Sequence, residues 1–417
     1  MEYTFLAMPL QTKSQATAGT FEPARAEPRL RRHRVFISTR PRIAAAIFVA
    51  VIAILTAIAW PITISHLQAI AVLDQVANKP LPAPLRWLIT DPVTTKEVTL
   101  QLPGGPIRAR LYTPLYHPNA PAIIVLHGVH YLGIDEPRLI AFASAMSSCG
   151  MRVLTPELPD IKDYHIGSNS IATIGGAAAW LSAQQHSRPV GVVGLSFSGS
   201  LSLLAAATPR FTPFIKFVVA IGSEDEMSRV AHYYVTGSDP RPNGPDELLP
   251  PHEYGALVLE YEDLQDFAPA RDLPALRSVL RAHLYEDLPA ERAALATLNR
   301  SQAAEAKQLM DTTSPITRRI LAAAEARHLQ GMAGVSPHGN IAHLITPVYL
   351  LHGEADNIIP SAETQWLEAE LPANTLQASL ISPVISHLDL DGKGPTATDQ
   401  FRLVHLFALI LHAGESR

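Results

Sequence analysis

The sequence predicts an α/β fold in which a mostly parallel sheet carries helices on both faces. Three observations lead there. Short, wholly apolar runs recur along the chain and most are followed by helical sequence, the pattern of strands buried on both sides. One run, Val190–Leu195, ends in Ser196 and passes at once into a small-residue helix, and Gly194, Ser198 and Gly199 are small enough to let the chain turn sharply there. Between Gly222 and about His343 the strand rhythm stops, and four helical stretches stand where a single crossover is expected.

The chain has 417 residues, a formal net charge of -5 and one cysteine. That length holds a large core with an accessory part. The arginine-rich stretch is confined to the N-terminus, so the rest lacks the electrostatic footprint of a nucleic-acid binder. Cys149 alone excludes an intrachain disulfide and a multi-cysteine metal site, and its place before the strand-like Met151-Arg152-Val153-Leu154 reads as a core thiol.

Taken in order, residues 1–42 are polar and lack apolar periodicity, which predicts an unstructured tail. From Ile43 the chain is almost wholly Ala, Ile, Val, Leu and Phe, and no charged residue appears until Asp74. Residues 43–64 therefore read as a membrane span, which needs about 20 residues. Arg25, Arg29, Arg31, Arg32, Arg34, Arg40 and Arg42 precede it, so the positive-inside rule places the N-terminus in the cytoplasm and the globular part on the outer face. A cleaved signal peptide is the competing reading, with Ala69-Ile70-Ala71 as a small-x-small site, but the apolar run exceeds the usual signal core of about 7–15 residues. Residues 65–95, spaced by Pro80, Pro82 and Pro84, read as a linker.

Lys96–Leu102 and Ile107–Thr113 alternate around Pro103-Gly104-Gly105-Pro106, which predicts an antiparallel edge hairpin. Buried strands are expected at Ala122–Leu126, Arg152–Leu154, Val190–Leu195, Phe217–Ile221 and Val348–Leu351, and a further strand-like run at Leu376–Ile381. Residues 96–222 and 343–417 thus form the core, and 223–342 an inserted helical cap with helices at about His252–Phe267, Pro274–Tyr285, Pro289–Met310 and Pro315–Leu329. The segment Gly237–Pro251 reads as a mobile loop into the cap. The first cap helix offers Tyr254, Leu257, Val258, Tyr261, Leu264 and Phe267 as an apolar face, with Glu253, Glu260, Glu262, Asp263 and Asp266 expected on a solvated one.

A serine nucleophile needs a base within hydrogen-bond reach and a carboxylate to orient that base. Asp356 follows an apolar strand, at the sheet edge where open sheets place their sites. It competes with Glu354 on its own loop and with Glu224 and Asp225 after the preceding strand. His387 offers the imidazole. Among the other histidines, His405 lies in a helical pattern, and His127 and His352 sit at strand ends, where they are expected to bond to backbone. The oxyanion donors are expected to be the Phe197 N–H, directly after the nucleophile, and the Val129 N–H, with Gly128 allowing close approach. The spacing of His338, His343 and His352 matches no tight metal-ligand pattern, so no metal is expected.

His127-Gly128, the turn around Ser196, His352-Gly353-x-x-Asp356 running on to Pro360, and His387 together resemble the α/β-hydrolase fold enzymes of the esterase and lipase kind, over about Lys96–Gly222 and His343–Leu411. The resemblance implies an eight-stranded, mostly parallel sheet, a Ser-His-Asp triad in the chain order found here, no cofactor, and a cap over the site. One departure is visible: the glycine usual two places after the serine is Ser198, and the glycine is displaced to Gly199. The function expected is that of a membrane-anchored serine hydrolase acting on small-molecule carboxylic esters through an acyl-enzyme on Ser196. Amide or peptide hydrolysis, acyl transfer with the same triad, and non-catalytic ligand binding are the alternatives, because this scaffold hosts many reactions.

Overall fold

The computed structural model describes residues 40–385 and 396–415, so most of the expected tail, and His387, lie outside the described residues. The chain divides into two units, Met1–Leu55 and Thr56–Arg417. The described part of the first is the beginning of helix α1 (Arg40–Val76), and its large apolar side chains, Ile47 to Leu55, stand exposed. No single helix among the described residues is long and apolar enough to cross a membrane; Ala44–Ala57 and Ala59–Val76 pass by length and composition only as a bent pair.

The second unit is built on an eight-stranded sheet in the order β1-β2-β4-β3-β5-β6-β7-β8. Strands β1 (Val93–Leu102) and β2 (Gly105–Pro114) form the expected antiparallel edge hairpin, turning at Gly105 with φ +117°. β2 also pairs antiparallel with β4 (Arg152–Pro156). All remaining pairings, through β3 (Ala122–Leu126), β5 (Val190–Leu195), β6 (Ile215–Ile221), β7 (Val348–Gly353) and β8 (Leu376–Ser382), are parallel. This order, with its antiparallel second strand and its helical insertion after β6, is the α/β-hydrolase fold.

Side chains alternate across the sheet and divide the core in two. Ile124, Leu126, Val192, Val218 and Leu350 face the side of helices α4 (Ser168–Ala183) and α5 (Phe197–Ala207) and of the cap. Ile123, Val125, Val193, Val219 and Leu351 face helices α3 (Pro137–Ser148) and α13 (Ala397–Glu415) and the end of α1. Cys149 lies in this second core, and burial pushes its thiol up to about 12.

The expected linker is instead folded. Ala69, Ala71 and Val72 at the end of α1 are fully buried in the second core, and Ala83–Ile89 forms helix α2. The prolines that suggested a linker sit in and before the first turn of α2, where a missing N–H costs nothing.

The cap comprises α6 (Met227–Thr236), α7 (Glu253–Glu262), a short turn Leu264–Phe267, α8 (Leu273–Leu284), α9 (Leu288–Ala296), α10 (Arg300–Leu309) and α11 (Pro315–Val335). The third expected helix is two, divided where Asn299 and Gln302 form a capping box. The expected mobile loop carries a hairpin pairing Ser238–Asp239 with Glu247–Leu248. Two bonds fasten it to helix α12 (Ala362–Glu370): Ala362 N–H to Glu247 Oε2 at 2.9 Å, and Trp366 Nε1 to the Pro240 carbonyl at 2.7 Å.

The acidic face expected on α7 is solvated only at Glu253, which is exposed. α6, α8 and α11 pack around the helix, Glu260 is fully buried, and burial raises its carboxyl well above the usual range. Glu262 accepts from the Ile166 N–H at 3.2 Å, and burial pushes it up to about 7.

Candidate active site

Ser196 ends β5 and caps α5 with φ +56° and ψ -137°, a conformation an L-residue holds only under constraint. Three bonds supply the constraint. Its N–H donates to the Ile221 carbonyl at 2.8 Å, and its carbonyl accepts from the Gly199 N–H and from Ser223 Oγ, both at 2.9 Å. The serine side chain makes no capping bond, so Oγ is not consumed by the helix it begins. The small neighbours are sterically required: a Cβ on Gly194 would lie 2.4 Å from the Ser198 carbonyl oxygen, and one on Gly199 would lie 1.9 Å from Ser223 Oγ.

Ser198, the departure noted in the sequence, has a structural role. Its Oγ donates to the His127 carbonyl at 2.6 Å and ties the turn to the loop after β3. That loop lies against Ser196, since a Cβ on Gly128 would be 3.3 Å from Ser196 Cβ.

His127 is buried and holds this loop. The Leu158 N–H donates to Nε2 at 3.0 Å, so the proton sits on Nδ1, which donates to the Gly128 carbonyl at 2.8 Å. Burial lowers the imidazole to about 4, and it stays neutral. Val129 is buried, and its carbonyl accepts from Tyr254 Oη of α7 at 2.7 Å, a contact from cap to loop. Among the described residues neither the Phe197 nor the Val129 N–H has a hydrogen-bond partner. Both expected oxyanion donors are thus unused, and the N-terminus of α5 adds its dipole.

Asp356 is buried on the loop leaving β7. Its Oδ1 accepts from the Ile358 and Ile359 N–H groups at 2.9 and 3.0 Å, and its Oδ2 lies 3.6 Å from His352 Nε2. Its competitors are differently placed. Glu354 is exposed. Glu224 is fully buried, and burial raises its carboxyl well above the usual carboxylate range. Asp225 is bound by Arg229 Nη2 at 2.8 Å.

His387 lies outside the described residues. The chain that leads to it leaves the sheet beside the Asp356 loop, because Ser382 at the end of β8 pairs with Gly353 and accepts from the Glu354 N–H at 3.0 Å. His352 bonds to backbone, its Nε2 donating to the Ile359 carbonyl at 2.8 Å, and His405 of α13 lies 3.0 Å from His66. Of the three histidines weighed as metal ligands, His338 joins a group among the described residues, with Asp225 and Glu370, whose ligand atoms fall within 4.8 Å of one another. That group is already internally paired, Asp225 with Arg229 and His338 Nδ1 with Glu370 Oε1. Tyr254 and Ser223 are contributors that sequence reasoning missed. Tyr254 was legible as part of an apolar face, but nothing in its spacing signals that its hydroxyl reaches a core loop.

No protein-family model matches the chain, and no curated protein matches it. Among solved structures it is similar to 2,6-dihydroxy-pseudo-oxynicotine hydrolase, at 16% identity over 78% of this chain and 70% of that one, with a TM-score of 0.42. An esterase from the archaeon Pyrobaculum calidifontis shows 16% identity over 84% and 88% of the two chains, with a TM-score of 0.40. The esterase domain of a Rhodothermus marinus protein shows 16% identity over 76% and 98%, with a TM-score of 0.40.

Proposed function

We propose that the protein is a serine hydrolase that cleaves carboxylic esters of small molecules. Ser196 Oγ attacks the ester carbonyl while His387 takes its proton, and Asp356 orients the imidazole and stabilises its cation. The Phe197 and Val129 N–H groups receive the oxyanion. Collapse of the intermediate expels the alcohol, which leaves with the proton from His387, and water then releases the acid by the same path in reverse.

The observation that carries this reading is the strained Ser196 held against a loop whose oxyanion donor is unused. An active-site fluorophosphonate is expected to label the protein, and labelling that persists in Ser196→Ala overturns the assignment. Amide hydrolysis and acyl transfer use the same groups. Negligible turnover of short and long acyl esters beside good turnover of aminoacyl amides would reverse the order.

The proposal includes a membrane anchor at residues 43–64, with the N-terminus cytoplasmic and the catalytic unit on the outer face. Exposed apolar side chains on α1 and the arginines before it support this, and burial of Ala69 and Ala71 supports retention of the segment. Carbonate-resistant membrane fractionation, with external protease reaching the catalytic unit in intact cells, tests both halves.

A further inference from the structure

We propose that a lipid bilayer surface docks against the N-terminal edge of the sheet, and that Ser196, on the opposite edge, takes water-soluble esters rather than lipids of that bilayer. The inference rests on the anchor reading. Within the second unit, Trp60 and Ile62 of α1, Trp87 and Leu88 of α2, and Leu115 and Tyr116 after β2 are all exposed, Trp87 by 87% and Tyr116 by 69%. Isolated exposed apolar residues are ordinary, but these three segments meet. A cavity of about 550 Å³ is lined by Ile64, one helical turn after Trp60, together with Leu88 and Tyr116.

The chemistry selects lipid as the occupant. Tryptophan and tyrosine, each an apolar body with a polar tip, concentrate at the headgroup level of bilayers. Arg86, beside Trp87 in α2, is an exposed cation that can reach anionic headgroups. Asp91, also in the cavity wall, is hydrogen-bonded to His117. In sequence, Trp60 and Ile62 close the apolar run through residue 64, and the rest of the patch follows it, so the same bilayer would hold both.

Topology then fixes which way the site opens. The turn from Leu115 to Pro121 immediately precedes the first residue of β3, and Gly150, also lining the cavity, precedes β4. Gly128, Ser196 and Asp356 lie just past the last residues of β3, β5 and β7. Strands of five and six residues separate the two edges, about 17–20 Å at about 3.3 Å per residue. A hydrolase of bilayer lipids needs its mouth at the interface. This one is held away from it.

The test uses the full chain reconstituted in phosphatidylcholine–phosphatidylglycerol vesicles, with nitroxide labels at Trp87→Cys, Tyr116→Cys and, as the aqueous control on the catalytic edge, Glu354→Cys. The three positions are exposed, so the substitutions leave the core intact. Labels at 87 and 116 are expected to be several-fold more accessible to dissolved oxygen, relative to an aqueous nickel chelate, than the label at 354. Soluble short-chain ester should be turned over while the vesicle phospholipid stays intact. Vesicle-bound protein whose labels at 87 and 116 are as open to the chelate as that at 354 overturns the docking alone. Hydrolysis of the host phospholipid overturns the substrate class, and failure to float with the vesicles overturns the anchor and the docking together.

Discussion

Ser198 joins the turn at Ser196 to the loop after β3 through one buried hydrogen bond, so its hydroxyl is a mechanical link. Ser198→Ala leaves the His127 carbonyl without that donor, at a cost of about 1–3 kcal/mol. The expected outcome is a lower denaturation midpoint and a reduced kcat with KM little changed, because the loop proposed to hold the oxyanion is loosened. His127 makes a second prediction. Its folded value of about 4 lies below the ordinary 6.5, so between these limits the folded state binds fewer protons than the unfolded state. Its contribution is complete above about pH 6.5 and is lost as pH falls through about 4, amounting to about 3 kcal/mol at 1.36 kcal/mol per pKa unit. Urea unfolding at pH 7 and at pH 4.5 should show less loss on acidification in His127→Gln than in the parent.

At the scale of elements, the cap is clasped to the core around Arg229 of α6. Its guanidinium bonds Glu363 of α12 and Asp225, lies 3.9 Å from Asp239 of the cap hairpin, and stacks over Trp366 at 4.5 Å. Burial, followed by the neighbouring Glu363 carboxylate, pushes Asp225 up to about 7 and Asp239 up to about 9. Because these values are raised above the ordinary 3.8, the stability they contribute is complete below that pH and is lost as pH rises through about 7 and then 9. Hydrogen exchange in α6 and in the hairpin, corrected for the intrinsic rate, should quicken from pH 6 to pH 9, and Asp239→Asn should remove much of the change. Arg229→Met leaves buried carboxylates without their cation and is expected to cost about 3–5 kcal/mol.

This clasp was invisible in the sequence, where Asp225 reads only as a competing triad carboxylate and Asp239 as an acid in a polar loop. The limits of β3 and β5 were legible because strands buried on both faces print as unbroken apolar runs. The turn at Ser196 was legible because its geometry tolerates only small neighbours. What escaped are contacts between segments distant in the chain: the Leu158 N–H that sets the His127 tautomer, and the helices whose packing buries Glu260 on a face that periodicity alone assigns to water. Amphipathic patterning reports one helix at a time and does not see its neighbours.

Across the whole molecule, the end of α1 is part of the second unit's core, while the large apolar side chains of the helix's first turns are exposed. These two halves should therefore separate on truncation. A chain beginning at Thr56 keeps Ala69, Ala71 and Val72 in the second core, and is expected to fold, to leave the membrane fraction, and to retain its kcat on a soluble ester. A chain beginning at Val72, as after cleavage at Ala69-Ile70-Ala71, exposes the apolar surface of α3 and α13 that those side chains cover. Displacing Val72 alone forfeits about 1.5–3 kcal/mol of burial, and fraying of the shortened helix adds the neighbouring contacts. Thermal unfolding of the two truncations side by side decides the matter. A clearly lower Tm for the shorter chain means that the segment after the apolar run is structural and that a mature protein trimmed there would be the less stable form. Equal values mean that α1 contributes nothing beyond its attachment.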